Sequence, residues 1–307
     1  MPVRTTYVKR LAMMLALCAM FFMPTLAHAE DSGVIQSDHS WQRLQESIDQ
    51  AGNGSVIKLT EDVRATSGDV GLVVPSKRRV TLDLAGHVLD RGLESPHADG
   101  YAIAVFGKLA VIDSSKKKLG KITGGYNAEA GGAIVVEKHG ALRLRSGNIC
   151  KNMSAGDGGA VYVKPGGRFD MSGGDISDNA SLGNGGGIGI LKGTFALEGG
   201  IIRGNVSAGD GGAIEAAKGN IELRGGAISG NTAGKYGGGV YASGSAIAMS
   251  DADISGNAAL LGGGLYANRG SFEMRGGSIS GELPRAEATE ENVLTLAMAE
   301  EKKEATA

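Results

Sequence analysis

The stretch GGAIEAAKGNIELRGGAISGN, residues 211–231, decides the fold. Its opening Gly211-Gly212-Ala213-Ile214 returns as Gly-Gly-(Ala/Gly)-aliphatic at Gly131, Gly158, Gly185, Gly237 and Gly262, every 25 to 27 residues. Its closing Ile228 returns as Ile149, Ile176, Ile202, Ile254 and Ile279. An asparagine stands three residues beyond the first five isoleucines, at Asn152, Asn179, Asn205, Asn231 and Asn257. A fixed period of this size marks one supersecondary unit stacked on itself.

Each unit carries two runs that alternate with period two, the signature of strands with one face in and one out. The first follows the glycines, as in Ile134-Val135-Val136, Val161-Tyr162-Val163, Ile214-Glu215-Ala216 and Val240-Tyr241-Ala242. Its outer members face inward and its variable middle member faces solvent. The second run places Leu142/Leu144, Phe169/Met171, Phe195/Leu197, Ile221/Leu223, Ile247/Met249 and Phe272/Met274 inward. Its outward positions include Arg143, Arg145, Asp170, Glu198, Glu222, Arg224, Glu273 and Arg275. Opposite charges fall at equivalent positions of adjacent coils, Arg143 with Asp170 and Glu198 with Arg224.

Like positions recur once per repeat and are not mirrored across a turn, which favours parallel stacking over hairpins. The expected fold is all-β: a right-handed parallel β-helix, a solenoid with an N-terminal capping helix. The inward ladder extends back through Leu109/Val111, Leu82/Leu84 and Ile57/Leu59. About nine coils result, irregular over 53–130 and regular over 131–283. At about 4.8 Å per coil the stack is roughly 43 Å long.

Two properties suit the asparagines to a structural ladder. Asparagine tolerates left-handed backbone angles, and stacked amides hydrogen-bond to the coils on either side. An unpaired buried amide costs about 1–3 kcal/mol, so the inner ladder needs to be continuous. Glu282 takes this position in the sixth copy and suits the ladder's end. The paired glycines mark positive-φ turns. No convincing helix follows them, so they are not phosphate cradles.

The chain ends have their own composition. Residues 1–29 read as a secretory signal: Arg4, Lys9 and Arg10, an apolar run from Leu11 to Met23, then Ala27-His28-Ala29. Its removal takes three of the 31 basic side chains and none of the 33 acidic ones, leaving 28 against 33, a net charge of −5. That balance argues against nucleic acid as a partner. No later run suits a membrane span, and the expected location is secreted, extracellular or the cell envelope. Residues 30–52 hold the capping helix, with Ser40 as N-cap, Trp41, Leu44 and Ile48 as its apolar stripe, and Gly52 as its stop. Residues 284–307 form a C-terminal tail or capping helix. Cys150 is the one cysteine after the signal, so no intrachain disulfide forms. It fills a slot held by serine in most other repeats.

No catalytic set can be assembled. His39, His87, His97 and His139 lack ligand spacing, and no Ser-His-Asp constellation is legible. Two weaker candidates remain. Tyr162, Tyr241 and Tyr266 project from one face of the first strand and suit sugar stacking or a protein partner. Asp157, Asn184 and Asp210 occupy one turn position in successive coils. Their oxygens suit a Ca²⁺ ion, and the same residues are good turn formers. No other cofactor is expected.

The pairing of Gly-Gly-Ala-Ile (131–134, 211–214) with Ile-Ser-Gly-Asn (228–231, 254–257) resembles the repeats of chlamydial polymorphic outer membrane proteins. Isoleucine stands here where that family has phenylalanine. Residues 40–283 look more broadly like secreted β-helix proteins of the pectate lyase-like superfamily, including Val80-Thr81-Leu82-Asp83-Leu84-Ala85-Gly86-His87 near their N-terminal coils. The resemblance implies a β-helix and, for enzymes of that superfamily, an acidic Ca²⁺ cluster with an arginine base, or paired aspartates with His-Gly and Arg-x-Lys elements. Neither set is recognisable. The expected function is a secreted, non-catalytic, adhesin-like protein that binds glycan or a host or cell-surface protein along a flat face. The alternative is a polysaccharide lyase or glycoside hydrolase acting on acidic polysaccharides, its site in the irregular coils near Lys116-Lys117-Lys118.

Overall fold

Ile149, Ile176, Ile202, Ile228, Ile254 and Ile279 stand in one column as successive parallel register partners. The column continues backwards through Ile122, Leu89 and Val63, giving nine turns. The computed structural model describes residues 39–280. The expected signal, the 284–307 segment and Glu282 lie outside the described residues.

The chain is a parallel β-solenoid. Counted between register partners, the coils hold 25 residues from Ser55 to Val80, 29 to Leu109 and 33 to Leu142, then 25 to 27 in each later coil. One sixteen-stranded sheet carries two of the walls. They merge because Arg168–Ser177 and Thr194–Arg203 run through the corner as single strands with a bulge. An eight-stranded sheet runs from Leu72–Val74 to Leu265–Asn268. A third sheet has five two-residue strands, from Tyr126–Asn127 to Thr232–Ala233. Two residues are too few to show a period, so the sequence pattern does not separate this wall.

The inward pairs named from sequence fill the interior, and Phe169 and Phe195 on adjacent rungs meet at 5.1 Å between ring centroids. One register differs from expectation. Leu109 and Val111 stack on Val80 and Leu82, not on Leu82 and Leu84. A two-residue slip leaves the same face inward, so alternation alone does not detect it. A second correction concerns the eight-stranded sheet. Its middle residues do not all face solvent: Val135 is 3% exposed and Glu215 7%.

Helix α1 (Ser40–Gln50) closes the first coil with Trp41, Leu44 and Ile48 buried. Its cap position is His39; Ser40 lies within the first turn and is buried, which corrects its assignment as N-cap. Trp41 Nε1 donates to the Val70 carbonyl at 2.9 Å, and the Arg91 guanidinium lies 5.7 Å from the ring centroid. Arg78 donates to the carbonyls of Ala51 and Asp49, placing a cation at the helix's negative end.

The asparagine ladder is continuous from Asn152 to Asn257, and each member is nearly or fully buried. From Asn179 onward each Oδ1 accepts from the backbone N–H and the side-chain amide of the preceding asparagine, at 2.9–3.1 Å for the four linked pairs. Backbone strain is not the reason for asparagine here. The left-handed residue is the one before it: Lys151, Asp178, Gly204, Gly230 and Gly256 carry φ of 56–65°. The amide is kept for its two-sided hydrogen bonding.

The paired glycines divide their work. The first of each pair, such as Gly158 at φ 68°, makes the left-handed turn. The second is held by space: a Cβ on Gly159 would press on the carbonyl oxygens of Gly186 and Ala180 in the next coil.

Candidate functional site

The middle positions of the eight-stranded sheet form a column: Val135, Tyr162, Gly189, Glu215, Tyr241 and Tyr266. Beside it runs the turn row Asp157, Asn184, Asp210 and Tyr236, each member five residues before its column partner. The left-handed first glycine folds each turn back over the column. A Cβ built on Gly189 would lie 3.3 Å from the Cβ of Asp157 and 2.9 Å from the Tyr162 ring. Turn residues therefore sit against column residues of their own rung and the next.

The turn row is knitted by side chain to backbone. Asn184 N donates to Asp157 Oδ1 at 2.7 Å, Asp210 N to Asn184 Oδ1 at 2.9 Å, and Tyr236 N to Asp210 Oδ1 at 3.2 Å. One oxygen of each expected calcium ligand is thus engaged by the fold. Among the described residues, no group of three or more His, Cys, Asp or Glu has an arrangement able to hold a metal ion.

Tyr241 and Tyr266 come together as expected, with ring centroids 5.9 Å apart and planes at 16°. Tyr162 does not join them, because Gly189 and Glu215 stand between. The third ring is Tyr236, stacked on Tyr266 at 4.9 Å and Tyr241 at 6.3 Å, with both interplanar angles 23°. Sequence reasoning missed Tyr236. Its signal was legible: it fills the Asp157/Asn184/Asp210 slot of the next repeat. All three rings are half-buried, so one part of each is packed and another reaches solvent. Such pairs contribute about 0.5–1.5 kcal/mol each beyond burial.

Glu215 was also missed, because the middle position was read as solvent-facing. Its burial, followed by the nearby Asp157 and Asp210 carboxylates, pushes its pKa up to about 8, against an opposing hydrogen bond from the Ile190 backbone. At neutral pH the carboxyl is mostly protonated and can donate a hydrogen bond. Tyr162 is pushed to about 12 by burial, then by Asp157 and Glu215. Asp210 is raised by burial, with the Tyr236 backbone and Lys235 opposing. The site thus pairs a three-ring aromatic surface with a neutral buried acid one rung from Tyr241.

The histidines contribute no such cluster. His87 Nδ1 lies 3.4 Å from Asp62 Oδ1, and His139 is an exposed turn residue at φ 65°. The expected charge pairs do form, Arg143 with Asp170 at 3.4 Å and Arg224 with Glu198 at 3.6 Å. These are surface pairs of small energetic weight. No helix among the described residues is long and apolar enough to cross a membrane.

No family model, curated protein or solved structure matches this chain. The fold stands on its own geometry, and function has to be argued from the site.

Proposed function

We propose that this is a secreted or envelope-associated, non-catalytic binding protein, adhesin-like, that engages glycan or a cell-surface protein along the eight-stranded sheet. The observation that carries this reading is the stack of Tyr236, Tyr241 and Tyr266. Half-exposed rings on a rigid sheet offer faces and edges to a sugar ring at little entropic cost. The Gly-Gly-Ala-Ile and Ile-Ser-Gly-Asn motifs resemble the repeats of chlamydial polymorphic outer membrane proteins, while the wider likeness to the pectate lyase-like superfamily bears on the coil and not on the activity. Glycan-array and cell-surface binding should fall about tenfold in Tyr241→Ala/Tyr266→Ala, the loss of roughly one to two aromatic contacts. Unchanged binding rejects this face.

One observation favours the lyase or hydrolase reading: Glu215 is a buried carboxyl near Asp157 and Asp210, with its pKa raised to about 8. A carboxyl held protonated by burial near other carboxylates is a feature that acid–base chemistry on sugars uses. Release of new chain ends from a uronate polymer, abolished by Glu215→Gln, would move the assignment there.

A further inference from the structure

The outer face of the sixteen-stranded sheet is hollow at its N-terminal end. A depression of about 420 Å³ lies there, rimmed by Arg79, Lys108, Arg143, Arg145 and Arg168. Its floor is low because the outward residues between the cations are small: Thr81, Ala110 and Ala141. A second depression of about 270 Å³ shares Gly54, Arg79 and Lys108 and extends the groove round the turn to Lys77.

The cations follow the rungs. Arg79 is the register partner of Lys108, Lys108 of Ala141, and Ala141 of Arg168. Arg143 fills the Ala141 rung from the neighbouring column. Four consecutive rungs, about 4.8 Å apart, therefore each present a positive side chain. Farther along, the same two columns carry Thr194, Asn220 and Ala246, and Ala196, Glu222 and Ala248.

Farther along this sheet arginines meet carboxylates, as Arg203 meets Asp175 at 2.8 Å and Arg224 meets Glu222 at 2.6 Å. Within the groove Asp170 serves both Arg143 and Arg168. Among the described residues no carboxylate pairs with Arg79, Lys108 or Arg145. Arg79 and Lys108 stand directly opposite one another, and like charges so placed destabilise a sheet. They do so in a chain whose formal net charge is −2, so the local excess is a matter of placement.

The geometry points to a second binding site: a groove for a linear anionic glycan, its sulfate or carboxylate groups laid along the Arg79–Lys108–Arg143–Arg168 ladder. Guanidinium groups match such oxyanions bidentately. A flexible chain can follow a groove several rungs long. No aromatic side chain lines either depression, so bases would find no stacking platform, which favours a glycan over single-stranded nucleic acid. The site lies on a different sheet from the tyrosines and does not depend on that reading.

The test is titration of labelled dextran sulfate, with neutral dextran and a single-stranded oligonucleotide as competitors. Wild type should bind dextran sulfate, weaken as salt rises, and ignore neutral dextran. Arg79→Glu/Lys108→Glu should lose about tenfold or more, as expected for two charge-assisted contacts. Lys192→Glu/Lys218→Glu makes the same charge change at the end of the eight-stranded sheet and should stay within about twofold. Arg79 and Lys108 are exposed, and Arg79→Gln/Lys108→Gln repeats the loss without adding like charge if the double glutamate unfolds. The proposal fails if the groove variants bind like wild type, if the control pair loses as much, or if the oligonucleotide outcompetes the glycan.

Discussion

Asn205 is the middle of the buried amide ladder, and replacing it tests whether that ladder holds the coils together. Its Oδ1 accepts from Asn179 N at 3.1 Å and Asn179 Nδ2 at 2.9 Å. Its Nδ2 donates to the Ile176 carbonyl at 2.9 Å, to Asn231 Oδ1 at 2.9 Å and to the Arg203 carbonyl at 3.1 Å. Asn205→Ala orphans the buried Asn179 N–H, at about 1–3 kcal/mol, and forfeits the two side-chain N–H donors shared among those three acceptors, at about 1 kcal/mol per N–H. The expected loss is about 3–5 kcal/mol, a large share of a typical domain's stability. Asn205→Asp should be no better, since it sets a carboxylate oxygen against Asn231 Oδ1. Asn220→Ala is the control: Asn220 is exposed, and such a change stays within about 0.5 kcal/mol. Urea unfolding followed by far-ultraviolet circular dichroism reads the result as a shift in midpoint. Repeat proteins unfold in nearest-neighbour fashion, so a broadened transition at Asn205 also counts as local loss. If Asn205→Ala melts with Asn220→Ala, the amides are turn formers only and the ladder argument is wrong.

Two further outcomes follow from the same geometry. Glu215 has a folded pKa of about 8 against an ordinary 4.5, so its contribution is complete below 4.5 and is lost as pH rises through 8. At about 1.4 kcal/mol per tenfold in proton affinity, the wild type should lose up to about 5 kcal/mol over that window. Glu215→Gln should flatten the profile of melting temperature between pH 5 and about 9; parallel profiles would show that Glu215 is solvated. Gly159→Ala should destabilise more than Gly230→Ala. The first drives a methyl into backbone oxygens, whereas the second meets nothing within 4 Å and carries only the strain of φ 65°, about 1–2 kcal/mol. The reverse order in chemical denaturation would mean that the coils can part at little cost.

The fold was legible because the stacking of identical residues leaves an identical trace in every repeat. The isoleucine column and the asparagine ladder needed only a fixed period and a buried-amide argument. Register in the irregular coils was less legible. Val80, Leu82 and Leu84 all face inward, and alternation cannot choose among them. The candidate site was half legible. Tyr241 and Tyr266 were found as column members, but Tyr236 enters from the turn, a position read only as a turn former. Glu215 was hidden for a different reason. Period two labels a residue as outward, yet the glycine turn that covers the next rung decides whether outward means solvent.

A solenoid gives departures from pattern a particular meaning. Stacking like on like is self-consistent for apolar columns, amide ladders and aromatic rings, because each copy satisfies the next. It is unfavourable for charges, and this chain mostly avoids it, setting Arg143 against Asp170. Two departures from this avoidance fall at the sites described above. Arg79 stands on Lys108 without a carboxylate partner, and Glu215 is enclosed near Asp157 and Asp210 instead of beside a cation. Neither arrangement is required to close a coil, since other repeats close with Ala141 or Thr194, and with Val135 or Gly189, at the equivalent positions. A cost borne locally, in a fold that offers cheaper residues at the same position a rung away, is what a binding surface leaves in a sequence. By that reasoning these two departures, on two different sheets, are the first positions at which the proposed binding should be tested.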